Sequence, residues 1–486
     1  MSEQVRNLEP KALWNHFADL NAVPRPSKME ERVIEFAKSF GESLGFETKV
    51  DGVGNVIIKK PATPGMEDRV TIVLQSHLDM VHQKNNDTVF DFDKEGIRML
   101  VEGDWVKADG TTLGSDNGIG VAAIMALLSS TDIPHPAMEA LFTIDEETGM
   151  TGAAGLVGGL LDAKIMLNLD TEDDDELTIG CAGGVDVTAN IDYKEEATPS
   201  DYVGLSLKVK GLSGGHSGMD IDKGLGNANK LMNRILYKAI DRFGVRIHSI
   251  DGGSLRNAIP RESGAIIALP SANKSAFDEY VCELAGALNN EHATTDPNMK
   301  VELVVVDTPS TIAASDFQVG LIDSIYACPN GIYRMSPDIK GLVQTSNNVA
   351  RVEVKDGKAS VMCLTRSSVE SEKEDLSQAI EGSFSHMGAS VIFDGDYPGW
   401  QPLPGSDIVK VMSALYEELF NESANVNACH AGLECGILGT HYPEMEMISF
   451  GPNIRGAHSP DEKCQISSVQ KFWGFLLEAL VRIPKA

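Results

Sequence analysis

Cationic residues are scarce in this 486-residue chain: 41 Lys+Arg stand against 71 Asp+Glu, a formal net charge of −30. A surface that tracks phosphates needs clustered Lys and Arg. No such cluster occurs, which argues against nucleic acid and against anionic membranes as partners. Long apolar runs are missing too. The longest, such as 121–128, fall far short of the ~20 residues that span a bilayer. Residues 1–21 lack the basic stretch and apolar run of a secretory signal. Cysteine is sparse and odd in number. Cys181, Cys282, Cys328, Cys363, Cys429, Cys435 and Cys464 are widely scattered with no CxxC pair, the pattern of a reduced protein and not of a disulfide framework. A cytoplasmic protein is therefore expected. No repeat or low-complexity tract stands out apart from the acidic run 171–176. With 42% hydrophobic residues the chain has material for sizeable cores, and its length predicts two or three units of ~100–200 residues.

The first ~180 residues alternate helical and strand patterns. Ser27-x-x-Glu30 has the form of a capping box opening a helix whose apolar positions Val33, Phe36, Ala37, Phe40 and Leu44 share one face. Short runs that are apolar on both faces follow at 70–74, 140–144 and 164–169, with a helix over 118–129. This predicts an α/β layered sandwich with a buried, largely parallel sheet. Near residue 185 the texture changes to strand 203–210, helix 225–240, strands 245–250 and 265–269, helix 275–288 and strand 301–306, a βαββαβ order that suggests a ferredoxin-like α+β unit. A hairpin, 348–354 and 359–364, turns at Asp356-Gly357. After Tyr397-Pro-Gly the α/β texture resumes. The economical reading is one α/β domain, 1–183 and 399–486, interrupted by an inserted α+β domain, 184–398.

Hydrolytic metal centres need carboxylates and imidazoles on loops that converge from separate elements, and in α/β sheets those loops lie at the carboxyl ends of strands. Four loops fit. Strand 70–74 leads into Gln75-Ser-His77-Leu-Asp79, 140–144 into Asp145-Glu146-Glu147, 164–169 into Asp170-Thr-Glu172, and 445–450 on to Gly456-Ala-His458-Ser. A fifth segment, Gly114-Ser-Asp116-Asn117-Gly118, precedes a helix. A lone histidine after a strand is more often a satisfied core or surface residue, and an acidic doublet is usually solvated. Side-by-side carboxylates directly after a buried strand, however, are costly unless a cation or proton intervenes. Five such segments together supply the N/O donor set that suits zinc, and also cobalt or manganese.

The pattern His77-Leu-Asp79, Ser115-Asp116-Asn117, Asp145-Glu146-Glu147, Asp170 and a late His458 resembles the co-catalytic di-zinc peptidases and amidohydrolases that include peptidase T, glutamate carboxypeptidase, acetylornithine deacetylase and carnosinases. Lys84-Asn-Asn-Asp87, Gly211-Leu-Ser-Gly-Gly-His216-Ser-Gly218, Leu225-Gly-Asn-Ala-Asn229, Leu255-Arg-Asn-Ala-Ile-Pro-Arg261, His430-Ala-Gly-Leu-Glu-Cys-Gly436 and Gly456-Ala-His-Ser-Pro-Asp461 extend the likeness to the bacterial aminoacyl-histidine dipeptidase branch over essentially the whole chain. The resemblance implies that Asp116 bridges two zinc ions, with His77 and Asp170 completing one site and Glu147 and His458 the other. It implies a cis bond between Asp116 and Asn117, and an Asp79 that orients His77 without ligating. Glu146 would be the general base, taking a proton from a metal-bridging water and giving it to the leaving amine. In the inserted lid, His216 would reach the partner subunit's active site in a homodimer and stabilise the oxyanion. Asn257 and Arg366 would hold the substrate carboxylate, and Gly432, in the catalytic domain, would allow close backbone approach. Taken alone, His216, Asn257 and Arg366 have ordinary structural readings: a surface turn, a second turn and a surface ion pair.

Other groups stay structural. His82 matches no ligand position, Cys435 has no identifiable base and suits a buried thiol, and the 211–218 loop lacks the lysine of a phosphate-binding loop. The resemblance implies a di-zinc dipeptidase acting on Xaa-His dipeptides such as carnosine (β-alanyl-histidine). The alternatives are an N-acyl amino acid deacylase or tripeptidase on the same scaffold, or a non-catalytic metal- and peptide-binding protein. The presence of Glu146 argues against the last.

Overall fold

Strand segments with no polar face end up covered on both sides. In the computed structural model, which describes residues 2–486, Ile72–His77, Met138–Thr143 and Ile165–Asn168 are buried at every position. Ile72–His77 lies between the other two, parallel to both, and Glu446–Ser449 adds in parallel beside Ile165–Asn168. The antiparallel pair Glu47–Val50 and Val56–Lys60 extends one side of this core, and Glu176–Cys181 with Asn425–Cys429 the other, completing eight strands. The helix Ser115–Ser129 packs on Ile72–His77 and on the helix Lys11–Leu20. From Asn117 through Leu128 it is wholly buried, so an apolar stripe gives way to an apolar cylinder.

Two local expectations are corrected. The capping box at Ser27 does not form. The helix begins at Glu31, and its N-cap Glu30 sits in the helical region without a side-chain cap. The Ser27 hydroxyl instead donates to Asp79 Oδ2 at 2.8 Å, because a buried carboxylate is the stronger acceptor. The strand expected over 70–74 is Ile72–His77, so His77 ends the strand itself and its backbone position is set by the sheet.

The chain divides into two compact units. One holds the chain up to Gly180 with Trp400–Ala428 and Leu433–Ala486; the other holds Cys181–Gly399 and Cys429–Gly432. Gly432 therefore lies with the second unit and not, as read from the sequence, with the first.

In the second unit the strands Lys300–Val306, Tyr202–Lys210, Ser263–Pro270 and Arg246–Gly252 are adjacent in that order. Numbered along the βαββαβ segment this is 4-1-3-2, the ferredoxin-like arrangement. The helices Ala228–Phe243 and Lys274–Glu291 pack on it. Asn227 caps the first of these by accepting from the Asn229 and Lys230 amides, which starts the helix three residues later than expected. The sheet is larger than a ferredoxin-like unit. Arg246–Gly252 pairs with the long hairpin Val343–Lys355 and Lys358–Ser367, which continues into Gly183–Asp192 and Ser390–Tyr397. The hairpin turns at Asp356 and Gly357 with φ of 51° and 76°, the left-handed pair that a two-residue turn requires.

Candidate metal centre

Loops at the carboxyl ends of the parallel strands, together with the head of the helix Ser115–Ser129, bring seven side chains of the first unit together. His77, 1% exposed, turns its two ring nitrogens to different partners. Nδ1 lies 3.3 Å from Asp79 Oδ1, and Nε2 lies 3.2 Å from Asp116 Oδ1 and 3.5 Å from Asp170 Oδ1. The other Asp116 oxygen, Oδ2, lies 3.2 Å from His458 Nε2, which is 2.9 Å from Glu147 Oε2. Two donor clusters result, His77 with Asp116 and Asp170, and His458 with Asp116 and Glu147. Within each, the donor atoms lie within 4.8 Å of one another. Asp116 is common to both. Glu146 joins a third overlapping group with His77 and Glu147.

Backbone geometry aims these groups. The Asp116–Asn117 peptide bond is cis, and both residues depart from helical angles at the head of their helix. Asp145, just before Glu146, and His458 are non-glycine residues in the left-handed region, with φ of 55° and 62°. Each such position costs energy that surrounding contacts must offset. For Asp145 these contacts are the Lys28 ammonium and the Thr148 and Thr151 hydroxyls. Asp79, wholly buried, accepts the Glu146 amide at 3.1 Å and the Glu147 amide at 3.3 Å. One carboxylate thus holds both the His77 ring and the turn that carries the acidic pair.

The electrostatics call for a cation. Burial disfavours charge on His77, but Asp170, Asp116 and Asp79 outweigh it and hold its proton affinity well above the ordinary value. Hydrogen bonds to Asp116 and Glu147 push His458 up to about 11. Burial raises both Glu146 and Glu147. Glu147 Oε1 and Asp170 Oδ1 are buried without a hydrogen-bond partner. Buried lone pairs left open, in clusters of imidazole and carboxylate, fit divalent cations.

Two supports carry no local signal in the sequence. Glu462, 2% exposed, accepts from the Leu113, Gly114 and Ser115 amides and the Ser115 hydroxyl at 2.6–2.9 Å, and from the Asp116 amide at 3.3 Å. Arg25 is buried and donates to the Leu78, Asp79 and Gly114 carbonyls, clamping the His77 and Asp116 loops together. Burial lowers its proton affinity, to about 10, against the pull of Glu462 and Asp79. A Cβ at Gly114, where φ is 69°, would come within 2.6 Å of that guanidinium. Glu172, two residues past Asp170, is pushed up to about 8 by burial and by facing Asp116 and Asp170. Arg25 and Glu462 are separated from the loops they serve by 53 to 349 residues, and no local pattern marks them.

In the second unit, His216 and Asn257 lie on adjoining loops. The Ser217 amide donates to the Asn257 carbonyl at 2.8 Å, and the Ile259 amide to the Gly215 carbonyl at 2.9 Å. His216 Nδ1 accepts the Gly218 and Met219 amides, which leaves the ring proton on Nε2. Arg366, 4% exposed, donates from Nη1 to the Tyr397 hydroxyl at 2.8 Å, while its Nε is buried without a partner. Its charge helps to lower the proton affinity of both His216 and His430, after burial, which is the larger cause. His430, on the Gly432 segment, bonds Ser346 Oγ at 2.8 Å.

A carboxylate shared between two histidine-containing clusters, at the strand ends of an α/β unit interrupted by an α+β unit, defines a metal-dependent hydrolase. The chain belongs to peptidase family M20/M25/M40, whose model matches residues 73–482, and membership implies binding of divalent metal. It is 43% identical over 484 residues to the cytosol non-specific dipeptidase of Escherichia coli K12, with all of both chains covered. It superposes on the crystal structure of aminoacylhistidine dipeptidase from Vibrio alginolyticus with a TM-score of 0.95 at 42% identity, again covering all of both chains. Aminopeptidase PepT from Bacillus cereus, 17% identical with 98% and 99% of the chains covered, shares the fold at a TM-score of 0.57. Among the described residues no helix is long and apolar enough to cross a membrane.

Proposed function

We propose that this chain is a cytoplasmic metal-dependent dipeptidase that hydrolyses Xaa-His and related dipeptides, carnosine among them. The observation that carries the chemistry is the shared Asp116 carboxylate, with one oxygen toward His77 and the other toward His458. His77 and Asp170 on one side, and Glu147 and His458 on the other, would hold two divalent ions with Asp116 between them. The mixed N/O donors suit zinc and accept cobalt or manganese. Bound there, the ions would polarise the scissile carbonyl and acidify the attacking water.

The remaining steps belong to the chain. Glu146, beside the Glu147 ligand but outside both shared-aspartate clusters, takes a proton from the water as its oxygen bonds to the carbonyl carbon. It then returns that proton to the amine nitrogen as the C–N bond breaks. Burial favours the protonated form of Glu146, which suits a group that must carry a proton between two steps. Asp79 fixes the His77 ring and the Glu146–Glu147 turn together. In the second unit, the half-partnered buried Arg366 guanidinium suits a substrate carboxylate, and Asn257 and the Gly432 backbone share the binding role. His216, with its free N–H on Nε2, suits donation to an oxyanion, and this role belongs to a homodimer formed through the second unit.

Both full-length relatives carry dipeptidase names, and that supports the substrate class. The test is a panel of dipeptides, tripeptides and N-acyl amino acids, assayed on protein stripped with chelator and reconstituted with zinc, cobalt or manganese. Metal-dependent amine release from Xaa-His dipeptides in preference to the other two classes is expected. A preference for N-acyl amino acids or tripeptides would overturn the substrate reading, and turnover in the stripped protein would overturn the metal reading.

A further inference from the structure

Polar side chains on a buried sheet weaken a fold unless they are hydrogen-bonded, and the strands beneath the metal loops carry a row of them. Thr143, Gln75, Asn168 and Ser449 are each at most 2% exposed and sit on four neighbouring strands. Each lies just upstream of a segment that carries a proposed ligand. Their side chains form a continuous chain. Thr171 bonds Ser449 through their hydroxyls at 2.8 Å, Ser449 donates to Asn168 Oδ1, Asn168 Nδ2 donates to Gln75 Oε1 at 2.5 Å, and Gln75 Nε2 donates to Thr143 Oγ1 at 3.1 Å. Both Gln75, at 2.7 Å, and Thr143, at 2.6 Å, then donate to one oxygen, Glu434 Oε2.

With Ser449 and Thr143 committed as donors, the hydroxyl and amide protons all run one way. Such a chain needs an acceptor at its end, and Glu434, 1% exposed, is that acceptor. Neither the proposed ligands nor the proposed base uses it. We propose that Glu434 is a positioning residue of the catalytic centre. By terminating this cross-strand chain it fixes the strand ends that feed the His77, Glu146–Glu147, Asp170 and His458 segments. The inference rests on the metal assignment above. Burial, opposed in part by His77 and Thr143, pushes the Glu434 carboxyl up to about 7. The role asked of it is hydrogen-bond acceptance, which a glutamine carbonyl also performs.

The test compares the wild-type chain with Glu434→Ala, Glu434→Gln and, as a milder cut elsewhere in the chain, Ser449→Ala. Cobalt is the probe, read by visible absorption and by competition with a chelator. Glu434→Ala is expected to shift the cobalt bands, weaken cobalt binding about ten-fold or more, and lower kcat with little change in KM. Glu434→Gln is expected to restore all three, and Ser449→Ala to move the bands in the same direction by less. The proposal is overturned if soluble Glu434→Ala keeps wild-type bands and affinity, or if Glu434→Gln fails as badly as alanine. Should Glu434→Ala not fold, unchanged bands in Ser449→Ala together with altered bands in Glu434→Gln overturn it. A wild-type chain that takes up no cobalt instead refutes the metal assignment, and this inference with it.

Discussion

Replacing Asp79 with asparagine changes one buried atom and probes how the metal loops are held. Oδ1 serves the Glu146 amide and faces His77 Nδ1; Oδ2 serves the Glu147 amide and the Ser27 hydroxyl. An amide nitrogen at either position sets a donor against a backbone N–H. The Oδ2 side is the less costly, because the Ser27 hydroxyl can turn to the Met80 carbonyl 3.2 Å away. The Glu147 amide is then left buried without an acceptor, at about 1–3 kcal/mol. That cost falls on the turn that carries a proposed ligand. Metal affinity should therefore drop about 10- to 100-fold, in line with the usual effect of removing a partner of a ligating histidine, and ten-fold corresponds to about 1.4 kcal/mol. Chelator competition on Asp79→Asn measures it directly. Wild-type affinity and turnover in that variant would refute the reasoning.

Other expectations follow from single contacts. Glu462→Ala removes the acceptor for four backbone and side-chain donors at 2.6–2.9 Å, so denaturant unfolding should show a loss on the order of 3 kcal/mol, with metal content falling as the Asp116 loop loosens. Arg366→Lys keeps the charge but loses the planar fork; steady-state kinetics should show a KM raised about ten-fold with kcat nearly unchanged. His216→Ala should lower kcat by about 10²–10³ without altering metal content measured by atomic absorption. Burial depresses the His430 proton affinity to about 3, with Arg366 and His216 adding to it. The unfolded chain therefore takes up a proton near pH 6.5 that the folded chain refuses until about pH 3. Stability should fall with falling pH across that window, by on the order of 1.4 kcal/mol per unit, and His430→Asn should flatten that part of the profile.

What could be read in advance was whatever chemistry announces locally. His77 ends a buried strand, Asp170 and the Glu146–Glu147 pair follow buried strands within a few residues, and the strands themselves show as runs without polar alternation. The βαββαβ order was legible for the same reason, since each element is short and bounded by turn residues. The misreadings came from competition at a distance. Ser27 has the spacing of a helix cap, yet its hydroxyl serves Asp79, 52 residues away. Arg25, Glu462 and Glu434 look like ordinary surface charges in their own segments. Their burial and their partners exist only once segments from 53 to 359 residues apart are assembled. The enlargement of the second sheet beyond a ferredoxin-like unit is of the same kind, because edge pairing with the 343–367 hairpin depends on which strand edges lie open after folding.

In the proposed reaction Glu146 moves the proton while the surrounding histidines and carboxylates hold the metal. The most direct measurement is dipeptide turnover together with bound-metal content in Glu146→Ala and in the wild-type chain. Near-normal metal content with turnover lost is expected in Glu146→Ala. Substantial residual hydrolysis in a fully metal-loaded Glu146→Ala would contradict it.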